Sequence, residues 1–139
     1  MFRLSSRFSG DHPAFEAPCT MAADEAGHRG EAVVISGGKF TKCAADATPS
    51  HILAQDVAAA ASPATRPLAI PVDEMQEWET ALGAVNSTAA PVVLGTKLTL
   101  HTDGLTLSYV TEDGVFELTG LANTGNAAAG DRVVGRFRR

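Results

Sequence analysis

An all-β domain, a small sandwich or barrel, is what this sequence predicts, and three observations carry the prediction. Between Pro91 and Leu118 apolar and polar residues alternate, and the run is broken twice by Asp-Gly, at Asp103-Gly104 and Asp113-Gly114. Turns only about ten positions apart leave room for short strands joined tightly, which reads as a β-meander. Upstream, Ser36-Gly37-Gly38-Lys39 separates two apolar-rich runs, and paired glycines take positive φ without a Cβ clash, so a hairpin is expected there. At the other end, residues 131–137 follow a Gly-rich loop and place Val133, Gly135 and Phe137 on one side, as a final strand does.

Length and composition set the frame. At 139 residues the chain supports one domain, which at that size buries roughly two thirds of its unfolded surface. The hydrophobic share of 45% includes much alanine, notably Ala58 to Ala61 and Ala127 to Ala129, and aromatics are only 6%. The core must therefore rest on the Val, Leu, Ile and Phe of the alternating segments. A net charge of −5 argues against a general nucleic-acid binder, which needs a concentrated positive face. Arginines do gather at the two ends, Arg3 and Arg7 at one and Arg132, Arg136, Arg138 and Arg139 at the other. Such basic ends suit docking on a negatively charged partner, and solvated termini produce the same pattern. Cys19 and Cys43 read as free thiols, since no secreted cysteine framework is present. The first residues lack the apolar core of a signal peptide and no segment approaches membrane-spanning length, so a soluble, cytoplasmically made protein without membrane partners is expected.

Taken in order, the chain divides into an extended N-terminal arm over residues 1–28 and a β-rich domain over 29–139. The arm carries Phe2, Phe8 and Phe15 among polar residues without sustained periodicity. Disordered tails avoid aromatics, so Phe2, Phe8 and Phe15, with Arg3 and Arg7, are expected to anchor the arm on another subunit; the competing reading folds the rings back onto the domain's own core. The Gly37-Gly38 hairpin follows. Residues 50–57 contain a short apolar run that fits a strand or a helical turn, and residues 58–67 read as a loop. Leu68, Ile70 and Val72 alternate across Pro71, whose missing N–H suits an edge or a strand end. Asp73 with Gln76 has the spacing of a capping box, which would place Met75, Trp78 and Leu82 on one face of a short helix closed by Gly83. Trp78 and Thr80 would equally suit an edge strand. In the meander, Val92, Leu94, Leu98 and Leu100 share one face, and Lys97, Thr99 and His101 share the other, wet face. Leu105, Leu107, Tyr109, Phe116 and Leu118 continue the apolar series.

Little in the sequence announces chemistry. His12, His28, His51, His101 and the two cysteines have no zinc-ligand spacing. Ser36-Gly37-Gly38-Lys39 lacks the glycine spacing of a phosphate loop and runs into a strand. Asp73, Glu74, Glu77 and Glu79 read as a solvated face, and Asp103 and Asp113 as turn residues rather than calcium ligands. No enzyme, no cofactor and no metal are expected.

The order of features carries a resemblance. An aromatic-bearing arm is followed by Gly30-Glu31-Ala32-Val33-Val34-Ile35-Ser36-Gly37-Gly38-Lys39-Phe40-Thr41-Lys42 and Pro49-Ser50-His51-Ile52. Then come Leu94-Gly95-Thr96-Lys97-Leu98-Thr99-Leu100 and Ala129-Gly130-Asp131-Arg132-Val133-Val134-Gly135-Arg136-Phe137. Over about residues 30–139 this resembles the capsid decoration, or cement, proteins of tailed phages. The resemblance implies a β-tulip-like domain that sits as homotrimers on the capsid exterior and clamps neighbouring major capsid proteins. The residues expected to contact such a partner are Phe2, Arg3, Arg7, Phe8 and Phe15 of the arm and Arg136, Arg138 and Arg139 of the basic C-terminus. The alternative is a small β-module that binds a glycan or small ligand, with Trp78 and Tyr109 as stacking platforms.

Overall fold

The computed structural model describes residues 1–7, 13–85, 93–121 and 126–138, and among these it is strand, turn and loop with no helix. The strands are β1 (Arg3–Arg7), β2 (Ala32–Ser36), β3 (Lys39–Lys42), β4 (His51–Leu53), β5 (Ala69–Pro71), β6 (Gln76–Val85), β7 (Lys97–Leu100), β8 (Leu107–Tyr109), β9 (Phe116–Leu121) and β10 (Arg132–Phe137). The all-β prediction holds.

Five strands, in the order β6-β10-β9-β7-β8, close on themselves because β8 returns to pair in parallel with the far half of β6. Closure removes the open edges of these five strands and leaves β1 as the sheet's edge strand. The ten-residue β6 makes this possible: its first half pairs with β1 on one side and β10 on the other, and its second half hands the β1 side over to β8. Inward positions of these strands alternate with outward ones, and Trp78, Leu82, Leu98, Leu100, Leu107, Phe116, Leu118, Val133 and Phe137 fill the interior. Gly135 is required there, since a Cβ would lie 2.3 Å from the Glu117 carbonyl oxygen and 2.5 Å from the Phe116 ring. It sits where β10 and β9 slip register by one residue.

A second sheet, β3-β2-β4-β5, packs beside the barrel. Gly37 and Gly38 both take positive φ, 56° and 74°, and the hairpin pairs Ser36 with Lys39 as the sequence predicts. Ala32, Cys43 and Ile52 contribute to the barrel's core cluster, while Met21, Val33, Phe40, Leu53 and Ala69 form a second cluster on the small sheet's own side. Residues 13–28 wrap this sheet instead of extending from it. Glu16 exchanges backbone hydrogen bonds with Ala69 on the outer edge of β5, and Phe40 on the outer edge of β3 bonds to Thr20 and Ala22. One segment thus covers both edges of the sheet.

Two expectations are corrected and one alternative is decided. The first seven residues are not an extended arm: β1 is a strand of the barrel sheet, and Phe2 is 3% exposed, its ring centroid 5.7 Å from Phe116 and 5.3 Å from Phe137. Of the two readings after Asp73, a short helix or a strand, the strand holds. The capping-box contacts exist, with the Asp73 carboxylate accepting from the Met75 N–H at 2.8 Å and the Gln76 side chain accepting from the Asp73 N–H at 3.0 Å. They close a single turn, after which Gln76, Trp78, Thr80 and Leu82 alternate inward with period two. Lastly, the run from 91 to 118 is not a simple meander. β7 and β8 form the Asp103-Gly104 hairpin, but β9 crosses to the other side of β7, because β8 is committed to β6. Thr99 is accordingly buried at 6%, Leu94 is exposed at 58%, and Val92 lies outside the described residues.

Candidate functional site

The outward face of the barrel sheet is a charge ladder. Strands β1, β10 and β7 present Arg3, Arg132, Arg136 and Lys97, while the intervening β6 and β9 present Glu77, Glu79 and Glu117. Glu79 pairs with Arg3 at 3.2 Å and also with Arg132. Glu77 accepts from the Ser6 hydroxyl at 2.9 Å and the Thr119 hydroxyl at 2.8 Å, with Arg136 at 3.9 Å. Arg138 donates to Glu117 at 2.7 Å, and Arg7 to Asp73 at 2.8 Å. The Arg132 hydrogen bond, opposed by slight burial, holds the Glu79 carboxyl below the usual glutamate range, and the Arg138 hydrogen bond does the same for Glu117.

This ladder accounts for the basic ends. Arg3, Arg7, Arg136 and Arg138, expected to contact a partner, are each paired with an acid of the same chain. Phe2 is spent on the core. Phe8 and Arg139 lie outside the described residues. Of the expected anchors, Phe15 alone among the described residues is a largely exposed ring, at 61%.

Phe15 stands at the rim of a groove of about 440 Å³ between β1 and the β4–β5 pair. Leu4 and Ile70 make an apolar floor over the buried Ile52 and Trp78, Arg3 and Arg29 are its cationic side chains, and among the described residues no acid lines it. Gly30 brings the two walls together. With φ at +79°, its carbonyl accepts from the Phe2 N–H at 3.0 Å, and a Cβ there would lie 2.9 Å from the Phe2 carbonyl oxygen. Trp78 is fully buried, and its indole N–H has no hydrogen-bond partner among the described residues.

Residues with catalytic potential do converge at one place that sequence reading missed. His51 Nδ1 lies 2.9 Å from the Ser50 hydroxyl, and His51 Nε2 bonds to the Glu16 carboxylate. The residue types are those of a nucleophile, base and orienting acid. Their surroundings describe a tie: His51 is 7% exposed, its ring stands edge-on to Phe40 at 5.1 Å, and the Ser50 hydroxyl also reaches the Val33 carbonyl at 3.3 Å. The chain of bonds fastens residue 16 to β4, and neither residue 50 nor 51 lines the Phe15 groove. The only signal available in sequence was the Ser50-His51 neighbourhood, since Glu16 is 35 positions away.

Elsewhere the titratable groups serve local structure. Asp103 accepts from the Leu105 N–H at 2.7 Å, the Thr106 N–H at 2.9 Å and the Thr106 hydroxyl at 2.8 Å. Burial alone would raise its carboxyl, but these bonds and nearby His101 bring it below the ordinary aspartate value. Both cysteines are free, and burial pushes the Cys43 thiol up to about 12, which leaves it unreactive. Glu31 is fully buried at the junction of the sheets, where it accepts from the His28 N–H at 2.7 Å and lies 3.6 Å from Lys42. No group of three metal-ligating side chains occurs among the described residues. His12 is outside them.

No protein-family model matches the chain, and no curated protein is similar to it. What the fold and surface define is a closed β-barrel with an edge-covered second sheet and one apolar, cation-rimmed groove marked by an exposed phenylalanine.

Proposed function

We propose that this chain is a structural virion protein, not an enzyme, which binds the outer surface of a tailed-phage capsid and stabilises it by bridging neighbouring major capsid proteins. The observation that supports this reading best is the contrast between body and surface. Nearly every strand edge is closed or covered, which suits a rigid part, while Phe15 holds a large apolar ring in solvent at 61% exposure. Exposed aromatics beside a groove are what protein interfaces use as anchors. In this role the chain acts as a homotrimer, and weak contacts repeated over a shell hold by multivalency.

The glycan-binding alternative loses the residues it rested on. Trp78 is fully buried and Tyr109 is 9% exposed, so neither offers a face to a sugar ring.

Co-sedimentation with expanded phage heads tests the proposal. The chain is expected to pellet with heads, to scatter light as a trimer when free, and to lose roughly tenfold in occupancy on Phe15→Glu without a change in its melting temperature. A chain that stays in the supernatant with heads of the phage that encodes it contradicts the proposal.

A further inference from the structure

We infer that the groove between β1 and the β4–β5 pair is a docking site for an extended peptide segment of the partner that carries apolar side chains flanked by carboxylates. Its size, about 440 Å³, falls in the range of sites that enclose small ligands or a few side chains. Its chemistry is asymmetric. Half-buried Leu4 and Ile70 supply an apolar floor over the buried Ile52 and Trp78, and the charged side chains of its lining among the described residues, Arg3 and Arg29, are both cationic. Arg3 is shared with Glu79 yet 63% exposed along its side chain. Arg29 makes no ion pair among the described residues; only its backbone N–H is held, by Asp56 at 2.8 Å. An uncompensated arginine above an apolar floor selects for a carboxylate beside an apolar group.

The groove's wall favours a peptide over other anionic, apolar molecules. β1 pairs with β6 on one side and, among the described residues, has no strand on the other, whereas the barrel is closed and residues 13–28 cover the small sheet. An edge strand offers backbone donors and acceptors that an extended peptide satisfies and an alkyl chain does not. Phe15 at the rim gives such a segment a ring to pack against. The inference deepens the capsid-binding reading, on which it rests for the identity of the partner.

The chain contains one tryptophan, and it lies buried beneath the groove, so its fluorescence reports a change in the groove's environment on occupancy. The full chain is titrated with capped heptapeptides of alternating Glu and Val, Gln and Val, or Lys and Val, with an N-methylated Glu-Val peptide, and with laurate. The Glu-Val peptide is expected to shift Trp78 emission saturably, with affinity falling at least tenfold for the Gln-Val and N-methylated peptides and for Arg29→Glu, and with no response to Lys-Val. Equal affinity for Glu-Val and Gln-Val, or no saturable response to Glu-Val below about 1 mM, overturns the site. Saturation by laurate alone overturns the peptide assignment. The two readings fail separately. Peptide binding without head binding supports the groove and removes the capsid partner, whereas head binding by the unaltered chain with no response to the Glu-Val peptide removes the groove and leaves the capsid reading intact.

Discussion

Phe2 stacks on a ring cluster in which Phe116 and Phe137 are 5.0 Å apart and Phe137 meets Trp78 at 6.5 Å. Removing that ring leaves a cavity in a close-packed core, so Phe2→Ala is expected to lower the unfolding free energy by about 3–5 kcal/mol. Denaturant titration reads this as a lower midpoint at unchanged slope; a change below about 1 kcal/mol would place Phe2 outside the core. Gly104 sets a second test. Its φ is +67°, and a Cβ would meet the buried Glu31 side chain at 3.1 Å, so Gly104→Ala should destabilise by about 1–3 kcal/mol. Asp-Gly marked both turns in the sequence, yet the two pairs work differently. At the second, Asp113 takes the positive φ of 54°, and Gly114 is needed because a Cβ would lie 2.5 Å from the Lys97 carbonyl. Residue type announced the turn; the close approach of a distant strand could not be read from it.

Strands were legible wherever period-two alternation met a turn residue, as in β2, β3, β7 and β10, and illegible where partner choice decided. β6 has helix-compatible spacing at Met75, Trp78 and Leu82 together with a formed capping box. It is extended because Trp78, Thr80 and Leu82 are needed on the barrel's inner face while β1, β10 and β8 take its backbone. Tertiary pairing outweighs a local preference worth about 1 kcal/mol. The charge ladder was hidden for the same reason: its arginines come from the chain ends and its glutamates from the middle, and only the strand order brings them together. Its pH dependence follows from the lowered carboxyls of Glu79 and Glu117. Groups whose folded values are depressed stabilise above their unfolded value, about 4.3 for glutamate, and that stability is lost as pH falls through the folded value. Denaturant midpoints are therefore expected to drop from about pH 5 downward, and Glu79→Gln with Glu117→Gln to flatten that drop. An identical acid limb in the double variant would remove the ladder from the pH response. Each exposed pair is worth at most about 1 kcal/mol, so the network, not one bridge, is the testable unit.

For the molecule as a whole, the all-β class was readable because alternation and turns are local, while barrel closure depends on one parallel contact between β6 and β8. The candidate site was readable in part. Phe15 stood out as an aromatic among polar residues, whereas Arg29, Ile52 and Ile70 gain meaning only when folding sets them beside β1. The first residues also change their role: with β1 in the barrel sheet and Phe2 in its core, truncating residues 1–7 is expected to destabilise the domain itself, seen as a lower melting temperature, and not merely to trim an appendage. The most direct test is the rupture temperature of expanded phage heads, followed by DNA release, with and without the saturating chain. The proposed capsid-stabilising role predicts that decorated heads burst at a clearly higher temperature than bare ones and that Phe15→Glu forfeits most of the gain; equal rupture temperatures for decorated and bare heads would contradict it.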